Sequence, residues 1–147
     1  MLVTKKLEFI VPGDPVSKGR PRFTRSGHAY TPEATTRFEN LVRVSFNEQY
    51  PNHVPMSFPI GLTVHSYFRV PASWSKKKAL QALSGEIQKT TKPDLDNVLK
   101  AITDGLNGVA WADDAQIHYL MATKRYSDRP RTEVFIYYTV DENVEGE

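Results

Sequence analysis

The chain has 147 residues and a formal net charge of +2, the size of one domain able to hide about 70% of its unfolded surface in a single core. Hydrophobic residues at 39% and charged residues at 24% exclude the disordered and fibrous classes. No stretch approaches the roughly 18 apolar residues of a membrane span, and the opening Met-Leu-Val-Thr-Lys-Lys has no apolar leader, so the chain reads as cytoplasmic. With no cysteine, disulfides, thiolate zinc sites and cysteine nucleophiles are excluded. Any metal must be held by oxygen or imidazole, and oxygen ligands favour Mg2+ or Mn2+.

In chain order, Leu7 to Val11 predicts a first strand with Leu7, Phe9 and Val11 on one face, stopped by Pro12 and Gly13. Ser17 to His28 then carries four cations, Lys18, Arg20, Arg22 and Arg25, and no acid. Within residues 17–30, Ser26-Gly27 suits positive backbone angles, so a small basic loop or hairpin is expected. Thr31-Pro32-Glu33 offers a hydroxyl cap, a proline at the first helical position and an acid in the first turn. Phe38, Leu41, Val42 and Phe46 follow at helical spacing, which predicts a helix from about Pro32 to Tyr50.

After Pro51, Pro55 and Pro59, Ile60 to Val70 alternates as a second strand and Pro71 ends it. Ala72 to Leu83 predicts a short amphipathic helix with Trp74, Ala79, Leu80 and Leu83 inward and Lys76-Lys77-Lys78 outward in water. Leu95 to Asn107 predicts another, since Leu95, Val98, Leu99, Ile102 and Leu106 fall on one stripe, and Gly108 can cap it in the left-handed region. Ile117 to Tyr126 and Glu133 to Val140 complete the strands, and residues 141–147 read as an acidic, frayed tail. The elements amount to one domain over residues 1–147, of the α/β (α+β) class, with helices packed on a mixed β-sheet.

Chemistry concentrates between Asp94 and Asp114, where five aspartates accompany one lysine. Asp94 and Asp96 flank Leu95 where the helix begins, so both carboxylates can face one way while Leu95 turns to the core. Asp96, Lys100 and Asp104 follow at i, i+4 and i+8 beside the apolar stripe. If the chain returns after Asn107-Gly108, Asp113 and Asp114 would join the first pair. Such a gathering of carboxylates is unfavourable without a divalent cation to offset the repulsion. Each piece also has a structural reading: Asp94 or Asp96 as a cap, Lys100 paired with Asp96 or Asp104 on a wet face, and Asp113-Asp114 as a turn. His28, His53, His65 and His118 are scattered without metal-ligand spacing, and none is nominated.

The stretches Lys92 to Lys100, Asp104 to Gly108 and Trp111 to Ile117, with the pattern D-x-D-N-x-x-K and then D-D-x-Q, resemble the signature of the RusA family of Holliday-junction resolvases, phage or prophage type. The Lys18-Gly19-Arg20-Pro21-Arg22 arm is similar to that of phage-type members. The resemblance implies that Asp94, Asp96 and Asp114 are metal-binding catalytic acids, Asp113 an auxiliary ligand, Lys100 the catalytic cation, and Asn97 and Asp104 supporting residues. It implies Mg2+ as cofactor, with Mn2+ able to substitute, and a homodimer that nicks four-way DNA symmetrically during recombination, repair or phage DNA processing. The lead-in Thr90-Thr91-Lys92-Pro93 departs from the arginine-rich one of some relatives, so cutting preference does not carry over.

For the basic arm, the bland reading is a solvated basic loop; cations without intervening acids are the footprint of phosphate contact, so Lys18, Arg20, Arg22 and Arg25 are candidate DNA-binding residues, and Phe23 or Tyr30 can stack on an unpaired base. Two rival functions remain: a junction-binding protein that does not cut, and a less selective nuclease of branched DNA. An EF-hand is excluded because Val98 and Leu99 stand where a ligand and the turn glycine are required. No phosphate-loop or serine-hydrolase motif occurs, so no nucleotide cofactor is expected.

Overall fold

Four strands form one mixed sheet in the order β1 (Leu2–Pro12), β6 (Arg131–Asp141), β4 (Ile60–Phe68) and β5 (Ile117–Tyr126) in the computed structural model, which describes residues 1–144. The first two pairings are antiparallel and β4 with β5 is parallel. A parallel pair needs a long crossover, and α2 (Lys76–Leu83) with α3 (Leu95–Leu106) lies within it. A two-stranded hairpin, β2 (Arg22–Phe23) with β3 (Ala29–Tyr30), precedes α1 (Glu33–Gln49).

One face of the sheet carries the core. Phe9 and Val11 of β1, Leu62 and Val64 of β4, and Val134 and Ile136 of β6 pack with Phe38, Val42 and Phe46 of α1 and Ile102 and Leu106 of α3. Burying each such side chain contributes about 1.5–3 kcal/mol. The two helices approach closely at Gly105, where a Cβ would stand 3.1 Å from Val42 side-chain atoms and 3.2 Å from the Glu39 carbonyl oxygen. An alanine there would require Val42 or the Glu39 backbone to give by a few tenths of an ångström.

Several expectations are corrected by long-range pairing. The first strand extends back to Leu2 because β6 pairs with it along its whole length, supplying ladder partners to the polar Thr4-Lys5-Lys6 run that has no hydrophobic alternation. Strand β4 is buried on both faces except at His65 and Tyr67, since it lies between β6 and β5, and it ends at Phe68. The hydroxyl cap at Thr31 is not used: Pro32 is the N-cap of α1, with no side-chain bond, and its carbonyl accepts from the Thr36 N–H at 3.1 Å. Helix α2 begins only at Lys76, capped by Ser75, whose Oγ accepts from the Lys78 N–H at 3.2 Å. Its Leu80 and Leu83 are exposed, and only Ala82 is buried, so the inward face expected from the sequence does not form. Of the tail, Asp141 pairs with Leu2, and Glu142–Val144 form a 3-10 turn. The remainder of the tail lies outside the described residues. No described helix is long and apolar enough to cross a membrane.

Candidate functional site

Asp94 is the N-cap of α3 in extended backbone, and its carboxylate makes no capping bond. It stands exposed, as do Asp96 and Asn97. Asp96 Oδ1 accepts only the Asn97 N–H, at 3.0 Å. The approach to this helix is pinned from below: Lys124 on β5 donates to the carbonyls of Thr91 and Pro93 at 2.9 and 2.8 Å, and Lys89 donates to the Lys92 carbonyl at 3.0 Å. Two hard oxygen donors are thus presented to solvent on a fixed turn.

The root of the basic arm docks against the same helix. Lys18 N–H donates to the Asn97 carbonyl at 2.8 Å, and Gly19 N–H donates to Thr35 Oγ1 at 2.9 Å. A Cβ on Gly19 would lie 2.8 Å from Pro32 Cγ, so this close passage requires glycine. Beyond the root, Arg20, Arg22 and Arg25 are exposed, and among the described residues none of them forms an ion pair. The hairpin expected around Ser26-Gly27 forms, with Arg22 opposite Tyr30 and Gly27 at φ +86°. It leaves Phe23 70% and Tyr30 48% exposed on its strands. A cleft of about 810 Å³ between arm and helix is lined by Arg20, Lys92, Asp94 and Asn97.

Lys18 itself is ion-paired within the fold. Its ammonium is 3.0 Å from Glu39 Oε2 and 3.0 Å from Asp104 Oδ2, and Asp104 Oδ1 is 2.6 Å from Lys100 Nζ. Burial would lower the Lys18 pKa, but the hydrogen bonds and charges of Glu39 and Asp104 outweigh it and leave the pKa raised. For Asp104 burial would raise the pKa, and the bonds from Lys100 and Lys18 instead hold it below the usual carboxylate range. The phosphate contact expected of Lys18 thus concerns a head group that two carboxylates already engage, unlike those of Arg20, Arg22 and Arg25.

Asp113 and Asp114 lie at the other end of α3. Asn107 caps the helix, Gly108 adopts φ +79°, and Trp111 bridges back to Asn107 and Met56. Asp113 caps the 3-10 turn Asp114–Gln116: its carboxylate accepts the Ala115 N–H at 3.0 Å, while Gln116 Oε1 accepts the Asp113 N–H at 2.8 Å. Asp114 Oδ1 accepts from Trp111 Nε1 at 2.7 Å, so Trp111 braces this pair. The 12 residues of α3 rise about 18 Å, and β5 runs back beside it from the Asp114 end to Lys124 at the Asp94 end. The expected convergence of Asp94, Asp96 and Asp114 is thus corrected for a single chain. Among the described residues no group of three or more histidines and acids could hold a metal.

The structure brings together Asp94, Asn97 and Arg20 around one cleft, and Lys18, Lys100 and Asp104 in one ion-pair chain, while Asp113 and Asp114 stand apart. Glu39 was missed, although a signal existed: it lies three residues before Val42 and seven before Phe46, on the buried stripe of α1, where an acid requires a cationic partner. Lys124 carried no such signal, because its role depends on β5 passing under the turn before α3.

Comparison with known proteins agrees with the motif. The family model described as "Endodeoxyribonuclease RusA" matches residues 12–137. A curated relative, "Uncharacterized protein YqaN" of Bacillus subtilis (strain 168), is 37% identical over 135 residues, covering 88% of this chain and 94% of the relative.

Proposed function

The chain belongs to the RusA endodeoxyribonuclease family, and from that premise we propose that it is a Mg2+-dependent endonuclease that resolves four-way DNA junctions by paired symmetric nicks. The observation that carries this reading is the cleft beside α3, which Asp94, its carboxylate free of any capping bond, lines together with Arg20 and Lys92. A hard carboxylate and two cations then share one opening, and a polyanion needs both the cations for attraction and a route to the acid.

Arg20, Arg22 and Arg25 bind backbone phosphates in this reading, and Phe23 and Tyr30 offer aromatic faces to an unstacked base at the crossover. Lys100, one turn beyond Asp96, supplies a positive charge where charge develops at the scissile phosphate. A divalent cation held by Asp94 and Asp96 together with Asp113 and Asp114 of a second copy would supply Lewis acidity to the phosphodiester. What supports a second copy is that α3 lies antiparallel to β5, and that β5 is a sheet edge exposing Tyr119, Leu120 and Met121. Two copies paired antiparallel along that edge would set the Asp114 end of one beside the Asp94 end of the other. A two-fold enzyme of this kind matches a two-fold junction and cuts two strands alike.

The test is incubation of end-labelled four-way junction and plain duplex with Mg2+, read on a denaturing gel. Paired nicks at symmetric positions in the junction alone support the proposal, and Asp96→Asn should bind but not cut. Binding without nicks in the native protein would establish a junction-binding protein. Equal cutting of duplex would demote the protein to a less selective nuclease.

A further inference from the structure

Four charges of alternating sign run from the core to the surface: Glu39, Lys18, Asp104 and Lys100. Their side-chain exposures are 11%, 25%, 20% and 56% in that order, so only the last is free to move in solvent. The chain spans the closest approach of α1 and α3, beside Gly105, and Lys18 enters it from the arm on a backbone bond to Asn97. Each Asp104 oxygen has its own lysine, Oδ1 facing Lys100 and Oδ2 facing Lys18.

We propose that Lys18 is a positioning residue, a fixed counter-charge to Asp104 that lets Lys100 exchange Asp104 for the scissile phosphate. The inference rests on the reading of Lys100 as the cation of the nuclease site. The physical argument concerns what remains when Lys100 leaves. Without Lys18, a carboxylate with four-fifths of its surface covered would be stranded beside buried Glu39, a strongly unfavourable arrangement. With Lys18 clamped between the two acids, Asp104 keeps an ion pair and a hydrogen bond throughout. The bond that Lys100 gives up is a half-exposed i,i+4 pair, of the kind that is weak in water. The swing is therefore inexpensive, and the arm's cations divide into a strut at its root and phosphate contacts at Arg20, Arg22 and Arg25.

The experiment compares single-turnover nicking of a four-way junction at saturating protein with junction affinity as a function of salt. Lys18→Met should slow nicking by about 10- to 100-fold, the usual effect of removing a residue that orients a reacting group. Its affinity and salt slope should stay at wild-type values, and Lys18→Arg should restore the rate. If Lys18→Met folds poorly, Lys18→Met with Glu39→Gln removes the stranded inner acid and should show the same rate loss, with folding followed by circular dichroism. The idea is overturned if the salt slope falls by about one contact while the saturated rate holds, which makes Lys18 a phosphate ligand. Lys100→Ala separates the two levels. A protein that nicks and requires Lys100 but not Lys18 sinks the strut alone, whereas a wild-type protein that does not nick removes the nuclease reading and the strut with it.

Discussion

The two ends of α3 both carry aspartates, yet the fold treats them differently. At the N-terminal end Asp94 caps nothing with its side chain and Asp96 accepts only its neighbour's N–H, so their oxygens are largely unspent. At the C-terminal end Asp113 is consumed in a reciprocal capping box and Asp114 gives one oxygen to Trp111. An aspartate pair in sequence is therefore not a ligand pair until its hydrogen bonds are counted. The free end lies at the cleft that Arg20 and Lys92 line, and the braced end lies away from it.

The strongest way to break this comparison is a mixing experiment. Asp96→Asn and Asp114→Asn should each abolish nicking. Co-expressed with different tags and purified through both, the mixed dimer has one site with both lesions and one with neither, so nicking should return. Continued silence of the mixed dimer would mean that each protomer needs all its acids for itself, and the shared-site arrangement would fail.

A second test sharpens what the bracing does. Trp111 is fully buried and its indole N–H meets a carboxylate, a type of bond worth about 1.5–3 kcal/mol. Trp111→Phe should lower Tm by about 4–8 °C and reduce nicking further than the melting change accounts for, since Asp114 loses its orientation. A stability loss with undiminished nicking at a temperature well below Tm would show that the brace serves the fold alone.

The free end invites a smaller perturbation. Arg20 lines the cleft with Asp94 and has no acidic partner among the described residues. Arg20→Ala should lower the slope of log affinity against log salt by about one unit, with the loss nearly uniform across junction sequences. An unchanged slope would place the DNA elsewhere.

These contrasts also mark what the sequence could tell. The helical stripe Val98, Ile102 and Leu106 was legible because its period is local, and the buried positions agree with it. The family signature likewise named the acids. Their separation was not legible, because it follows from the path of β5, which starts just after Asp114 and carries Lys124 to the carbonyls of Thr91 and Pro93 before α3. The exposed Leu80 and Leu83 show the converse limit: an apolar pattern on α2 that tertiary packing leaves unused. Lys18 counted as a basic-arm residue by neighbourhood, and only the crossing of α1 over α3 reveals Glu39 and Asp104 around it.

The ion-pair chain gives the mildest test. Asp104 has its pKa below the ordinary 3.8 in the folded protein, because the bonds from Lys100 and Lys18 outweigh burial. Its ionised form therefore stabilises the fold at pH values above 3.8, and that contribution is lost as pH falls through the lower folded value. Lys18 is displaced upward from 10.5, so its contribution is complete below that pH and disappears only as pH rises through the higher folded value. Across the neutral range neither group titrates, and the chain should be flat in Tm. Asp104→Asn should lower Tm at pH 7 by the equivalent of about 1 kcal/mol, the scale of partly solvated pairs. The gap to wild type should close on acidification below pH 3.8, as the wild-type carboxylate takes up its proton. A gap that persists at the lowest pH at which both proteins still fold would mean that Asp104 acts through packing, and that the charges bridging the arm to α3 do little for stability.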